Sequence, residues 1–293
     1  MRLLAAFVVA LIATAFPVSA AGADPALTRH TFTNAAGSRD YLLYVPPGSA
    51  RVPLIVFLHG CGAAPDAYGL QRIGEARGFA VALPIESAPG GCWNWQGDRH
   101  RDAGEPSLIA GITREAQAEH PIDPDRTYIA GHSAGSGMTA NLAAAYPDLY
   151  AAAGLVAGCG LLSCADVTGQ SAFREMSSRA RAVPAYLVWG TDDQENSYLV
   201  GRIQLAQWLA MNDLADDGQA NLSVPRLPTS VTLRAAASPV PAFTIEGYKD
   251  RKDCASVKFA TGFRMGHIPD FAWPSVFPSM ADFLLGHPMN RAC

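Results

Sequence analysis

A serine flanked by glycines at 131 and 135, in the stretch RTYIAGHSAGSGMTANLAAAYP, is placed to act as a nucleophile. Gly131-His132-Ser133-Ala134-Gly135 follows a β-branched run ending at Ala130 and opens a small-residue run of helical character. A reactive serine held on a sharp strand-turn-helix elbow needs this setting, because bulky side chains two places away would collide with strand and helix. A serine hydroxyl is a weak nucleophile at neutral pH, so it requires a histidine to take its proton and a carboxylate to orient that histidine. Downstream of Ser133 stand two histidines, His267 and His287. His267, in the loop segment FRMGHIPDF after the last expected strand, is the expected base, whereas His287 falls in a terminal helix. The stretch VWGTDDQENS offers Asp192, Asp193 and Glu195 as acids, and Gly-x-x-Asp spacing from Gly190 favours Asp193. Acyl transfer also needs backbone N–H groups for the oxyanion. Ala134, directly after the serine, and Cys61, in LHGCG, are the expected donors.

The elements that must position these groups are legible as short apolar runs that stop at Gly or Pro. Residues 39–48, 52–60, 78–84, 126–131, 150–158 and 185–190 read as strands, most of them too continuously apolar to have a solvated face. Residues 106–120, 136–147 and 198–212 read as intervening helices, 256–263 as a last strand and 278–287 as a closing helix. Alternation of this kind predicts an α/β chain with a mostly parallel central sheet flanked by helices. Residues 213–241, polar and proline-bearing, fit either a loop insertion or a short β excursion.

The 293-residue chain opens with one arginine, an apolar run from Leu3 to Phe16, a Pro17 break and small residues. This is the order of a secretory signal, expected over residues 1–20, with cleavage after Ala20 or Ala23. An anchor helix is disfavoured because the run is shorter than the roughly 20 residues that span a bilayer. Residues 24–293 are then expected to form one catalytic domain, exported to the extracellular space or periplasm. The formal charge of −4 is scattered rather than blocked, which argues against nucleic acid and a stable membrane anchor as partners. Six cysteines without a CxxC pair favour disulfides over a metal or redox role, and no metal or cofactor is expected. Cys61 and Cys92 follow strands that should be neighbours, so they are paired. Cys159 and Cys164 share one loop and form a local bridge, which leaves Cys254 for Cys293.

The blocks YLLYVPPG, PLIVFLHGCG, GGCWNW, GEPSLI, RTYIAGHSAGSGMTANLAAAYPDLYAAAG, VWGTDD and GFRMGH resemble, in that order, the secreted polyhydroxybutyrate depolymerase and feruloyl esterase-like group of α/β-hydrolases. The resemblance runs from about residue 38 to 285. It implies a single-domain α/β-hydrolase and a serine esterase with Ser133, Asp193 and His267 as triad. The implied substrate is a polyester or oligoester of polyhydroxyalkanoate type, with aryl or acetyl esters of plant cell walls, the feruloyl or acetyl-xylan esterase reading, as the alternative. A non-catalytic binding protein on a hydrolase scaffold is the rival from another class. Trp93 and Trp95 of CWNW are candidates to line an apolar site, Trp93 with an equal claim to a packing role. His132 departs from the leucine usual in polymer depolymerases and is expected to alter the polarity of the substrate pocket. No linker and polymer-binding region follow in this sequence, which turns the expectation towards soluble oligoesters, amorphous polymer or cell-wall esters.

Overall fold

Strand β3 (Val52–Leu58) shows why the apolar runs do not alternate. Leu54, Val56 and Leu58 face one hydrophobic layer while Ile55 and Phe57 face another, so both faces of the strand are dry. The computed structural model describes residues 25–48, 50–162, 164–236, 241–251, 256–267 and 276–290. The expected signal segment and the Cys254–Cys293 pairing lie outside these residues.

Before β3 come β1 (Thr28–Asn34) and β2 (Gly37–Tyr44), an antiparallel hairpin. After it follow α1 (Leu70–Arg77), β4 (Ala80–Pro84), α2 (Gly104–Glu119), β5 (Ile122–His132), α3 (Ala134–Ala145) and β6 (Ala153–Val156). The chain continues through α4 (Gln170–Met176), β7 (Ala185–Gly190), α5 (Tyr198–Asp217), β8 (Ser230–Arg234), β9 (Phe243–Tyr248), β10 (Val257–Gly262) and α6 (Val276–Leu285). All ten strands join one sheet in the order β1-β2-β4-β3-β5-β6-β7-β10-β9-β8. From β4 to β10 the neighbours are parallel, and the antiparallel pairs lie at the two flanks. Helices α2, α3 and α5 cover one face through Ile109, Met138 and Trp208, and α6 covers the other through Phe277 and Met280.

Parallel strands put their following loops on one edge of the sheet, where ligands of open α/β sheets bind. The segments after β3, β5, β7 and β10 carry Cys61, Ser133, Asp193 and His267 in turn. The expected α/β-hydrolase architecture is therefore present. Several elements differ from expectation in extent. Strand β6 is only four residues long, and β1, β9, α1 and α4 carried too weak a pattern to stand out.

Of residues 213–241, the described ones, 213–236 and 241, include the short strand β8 and so fit a β excursion. Helix α5 first runs to Asp217, and the buried Asp213 then gathers the chain that leaves it. Its carboxylate accepts hydrogen bonds from the Leu222 amide (3.1 Å), the Ser223 hydroxyl (2.8 Å) and the Val224 amide (3.2 Å). Strand β8, exposed along its length, pairs outward of β9. Three donors on one buried carboxylate make Asp213 the fastening of this excursion. Asp213→Ala should cost about 1.5 to 3 kcal/mol, the range for hydrogen bonds to a charged group, in urea unfolding.

Candidate active site

Ser133 sits at φ 53°, ψ −123°, a conformation that side chains adopt only under constraint. The constraint is backbone crowding. A Cβ on Gly135 would lie 2.2 Å from the Leu58 carbonyl oxygen and 2.4 Å from that of His59, and one on Gly131 would lie 2.5 Å from the Gly135 carbonyl. Gly158 is equally tight, 2.2 Å from the Ser133 oxygen. The glycines of the motif are thus required by close backbone approach between β3, β5 and α3. The Ser133 amide donates to Val156 O at 2.9 Å, which fixes the turn to β6.

The turn presents Ser133 Oγ 2.8 Å from His267 Nε2. On the other side of the ring, Nδ1 lies 2.9 and 3.1 Å from the two oxygens of Asp193. The Asp193 side chain is fully buried, and one oxygen also accepts from the amides of Glu195 (3.0 Å) and Asn196 (2.8 Å). Asp192 turns away, exposed, and takes the Thr191 hydroxyl at 2.9 Å. The strands bring the two loops together. β7 pairs with β10, the Asp192 amide donates to Met265 O, and a Cβ on Gly190 would lie 2.1 Å from that same oxygen. His287 is elsewhere, bonded to Phe283 O in and after α6.

Burial works against the His267 cation, but the Asp193 hydrogen bond, the Asp193 charge and the Glu195 charge outweigh it and raise the pKa above 6.5. Glu195 was named in the sequence only as a possible acid. The structure places its Oε2 3.5 Å from His267 Nε2, on the serine side of the ring, while the side chain stays 68% exposed.

Ala134 is the first residue of α3, so its amide has no intrahelical acceptor. The Cys61 amide has no acceptor among the described residues. Cys61 is bridged to Cys92, and Cys159 to Cys164. Beneath this loop lies a polar anchorage that sequence reasoning missed. Arg39 reaches Glu86 (2.6 Å) and Glu105 (3.1 Å), and Glu105 accepts the Asn94 amide at 2.8 Å. Burial, then the neighbouring Glu86, pushes the Glu105 carboxyl up to about 8. The separations of 39, 86 and 105 in the chain carry no motif that could have revealed the cluster.

Of the candidate substrate contacts, Trp93 takes the packing alternative and His132 departs from expectation. Trp93 is 2% exposed, with Nε1 donating to His59 O at 2.9 Å and the Arg39 guanidinium 5.4 Å from its ring centre. It is a pillar under the loop. His132 is 4% exposed, with Nδ1 3.0 Å from the Tyr68 hydroxyl and Nε2 3.0 Å from the His267 carbonyl, so neither ring nitrogen is left for a substrate. Trp95 is half-buried, its ring against Gly137 of α3 and its carbonyl bonded by Asn141. Among the described residues no group of His, Cys, Asp or Glu side chains converges as a metal site would require, and no helix is long and apolar enough to cross a membrane.

Residues 39–200 match the family model described as "Esterase PHB depolymerase". Among curated proteins the chain is 39% identical over 163 residues to "Poly(3-hydroxyalkanoate) depolymerase C" of Paucimonas lemoignei, covering 53% of this chain and 38% of that one. It is 33% identical over 129 residues to "Acetylxylan esterase A" of Aspergillus awamori, covering 40% of this chain and 42% of that one. The chain thus spans less than half the length of these relatives. A solved acetyl xylan esterase from Aspergillus awamori superposes with a TM-score of 0.68 at 20% identity, over 88% of this chain and 99% of that one, a likeness of fold.

The Cys61–Cys92 bridge ties the loop of the candidate oxyanion donor to the CWNW loop. Replacing both cysteines by serine should lower stability by about 2 to 5 kcal/mol in denaturant titration, the usual cost of losing a native disulfide. Gly135→Ala, which drives a methyl into two carbonyls, should reduce soluble yield and melting temperature more than Gly266→Ala, where a Cβ meets nothing within 4 Å.

Proposed function

Because the chain belongs to the esterase PHB depolymerase family, we propose that it is an exported serine esterase that hydrolyses carboxylic esters through an acyl-enzyme, with polyhydroxyalkanoate-type polyester or oligoester as substrate. The observation that carries the reading is the unbroken hydrogen-bonded chain from Ser133 Oγ through His267 to the buried Asp193. His267 Nε2 takes the serine proton as Oγ attacks the ester carbonyl. The negative charge that develops on the carbonyl oxygen meets the amides of Ala134 and Cys61. As the tetrahedral intermediate collapses, His267 returns the proton to the departing alkoxide. Water, deprotonated by the same imidazole, then attacks the acyl-serine, and the acid is released with Ser133 reprotonated. Asp193 holds the Nδ1–H tautomer throughout and stabilises the imidazolium in each half-reaction.

The Cys61–Cys92 and Cys159–Cys164 bridges support a place of action outside the reducing cytoplasm. The relative named acetylxylan esterase supports a second reading, short acyl esters of cell-wall polysaccharide. Rates on hydroxybutyrate oligomers, acetylated xylan, methyl ferulate and short p-nitrophenyl esters decide between them, and oligomers should be turned over fastest. A non-catalytic scaffold would have no use for a strained serine hydrogen-bonded to an imidazole, and a fluorophosphonate probe should label Ser133.

Ser133→Ala and His267→Ala should each lower turnover by several orders of magnitude. Asp193→Asn should cost about 10⁴-fold and Asp192→Asn little. The base must be neutral, and its pKa is raised, so activity should climb with pH through one ionisation above 6.5. Glu195→Gln, which removes one of the charges that stabilise the cation, should move this acid limb to lower pH in a kcat/KM profile. An unmoved limb would detach Glu195 from the imidazole.

A further inference from the structure

We propose that His132 and Tyr68 form a positioning strut that hangs both the oxyanion loop after β3 and the His267 loop after β10 from the residue next to the nucleophile. This rests on the serine esterase reading and adds residues to it that never touch the reacting atoms.

Donor and acceptor accounting allows only one arrangement of protons. The His267 carbonyl can only accept, so the His132 Nε2, 3.0 Å away, carries the hydrogen. The neutral ring then leaves Nδ1 as an acceptor, and the hydrogen it takes at 3.0 Å is that of the Tyr68 hydroxyl. The Tyr68 oxygen in turn accepts the Gly60 amide at 2.9 Å. The chain therefore runs from Gly60 N–H to Tyr68 to His132 to the His267 backbone, with each group in its ordinary neutral form. Gly60 has the matching signature, since a Cβ there would lie 2.7 Å from His132 Nδ1 and 3.3 Å from the Tyr68 hydroxyl. Phe57 and Phe277 seat the phenol ring at 4.7 and 5.7 Å between centroids.

The groups facing His132 keep it in this form. Burial dominates and disfavours its cation, the His267 carbonyl and the Asp193 charge favour it, the His267 ring opposes it, and the balance lowers its pKa to about 4. Across the range in which His267 titrates, His132 holds a single tautomer. It cannot compete with His267 for the serine proton, because its accepting nitrogen is already engaged by Tyr68. A leucine here would fill the volume but remove two bonds, the one that the Tyr68 hydroxyl makes to Nδ1 and the one that Nε2 makes to the His267 carbonyl, while the Gly60 side of Tyr68 would persist.

Four variants test the strut: His132→Leu, His132→Gln, Tyr68→Phe and the double variant His132→Leu/Tyr68→Phe. Each is assayed for kcat and KM on a short p-nitrophenyl ester, for the pH profile of fluorophosphonate labelling, and for its thermal melt. A loosened base and oxyanion loop should lower kcat in His132→Leu by about 10²-fold with little change in KM, the scale of a misplacement of about 1 Å. Gln can donate to the His267 carbonyl and accept from Tyr68, so His132→Gln should recover most of that loss. Tyr68→Phe removes one hydroxyl without changing the ring, and it is the variant to read should His132→Leu yield no folded protein. The double variant should be no slower than His132→Leu alone, because both act through one chain. A folded His132→Leu or Tyr68→Phe with wild-type kcat and labelling profile, a His132→Gln no better than His132→Leu, or additive losses would overturn the strut. Failure of the wild type itself to label would instead overturn the esterase reading and the strut with it.

Discussion

Everything at the active edge depends on how closely backbone approaches backbone at the β5–α3 turn. Gly131, Gly135 and Gly158 let β3, β5, α3 and the segment after β6 meet at distances that a single Cβ would forbid. That crowding holds Ser133 in its positive-φ conformation and aims its hydroxyl out of the sheet edge. A strained residue costs on the order of 1 to 3 kcal/mol and persists only when its surroundings leave no other choice. Here the surroundings are the buried stretches Pro53–Leu58 of β3 and Thr127–His132 of β5, which run parallel, and an entirely buried helix, none of which can relax without opening the core.

Around this turn the site divides into a rigid apolar floor and a polar scaffold that fixes the loops. The loop after β3 is held by a covalent bridge, by the Trp93 indole on the His59 carbonyl, and by His59 itself, whose Nε2 accepts the Glu86 amide at 3.0 Å. Glu86 and Glu105 then share Arg39, and burial together with the acidic neighbour raises the pKa of the Glu105 carboxyl. His59, Glu86, Arg39 and Glu105 each meet a polar partner here, and such pairing is what lets a buried polar network add definition rather than cost.

The electrostatics of the two histidines are opposite for one physical reason. His267 has a buried carboxylate against one nitrogen and an exposed one near the other, so its cation is favoured despite burial. His132 is more deeply enclosed and bonded only to neutral groups, so burial prevails and it stays uncharged. In the proposed acyl transfer the first serves as a shuttle for protons. The second is useful because it does not titrate.

The nucleophile motif, the order Ser133, Asp193, His267, the alternation of dry strands with helices and the Cys61–Cys92 and Cys159–Cys164 pairs were all legible in the sequence. Each rests on local pattern: glycine spacing, apolar runs of strand length, loops that parallel strands must place side by side. What the tertiary structure alone decided are contacts between residues far apart in the chain. Neither the buried roles of His132 and Trp93, nor the Tyr68 and Arg39 networks, nor Glu195 beside the imidazole has a local signature, because the partner of each lies on another strand or loop. The stretch around β8 was ambiguous because its alternation, Val231 and Leu233 between polar residues, spans only five residues, is exposed throughout and lies in a polar, proline-bearing sequence. Local pattern is written along the chain, whereas burial and partnership exist only once the strands have been set beside one another.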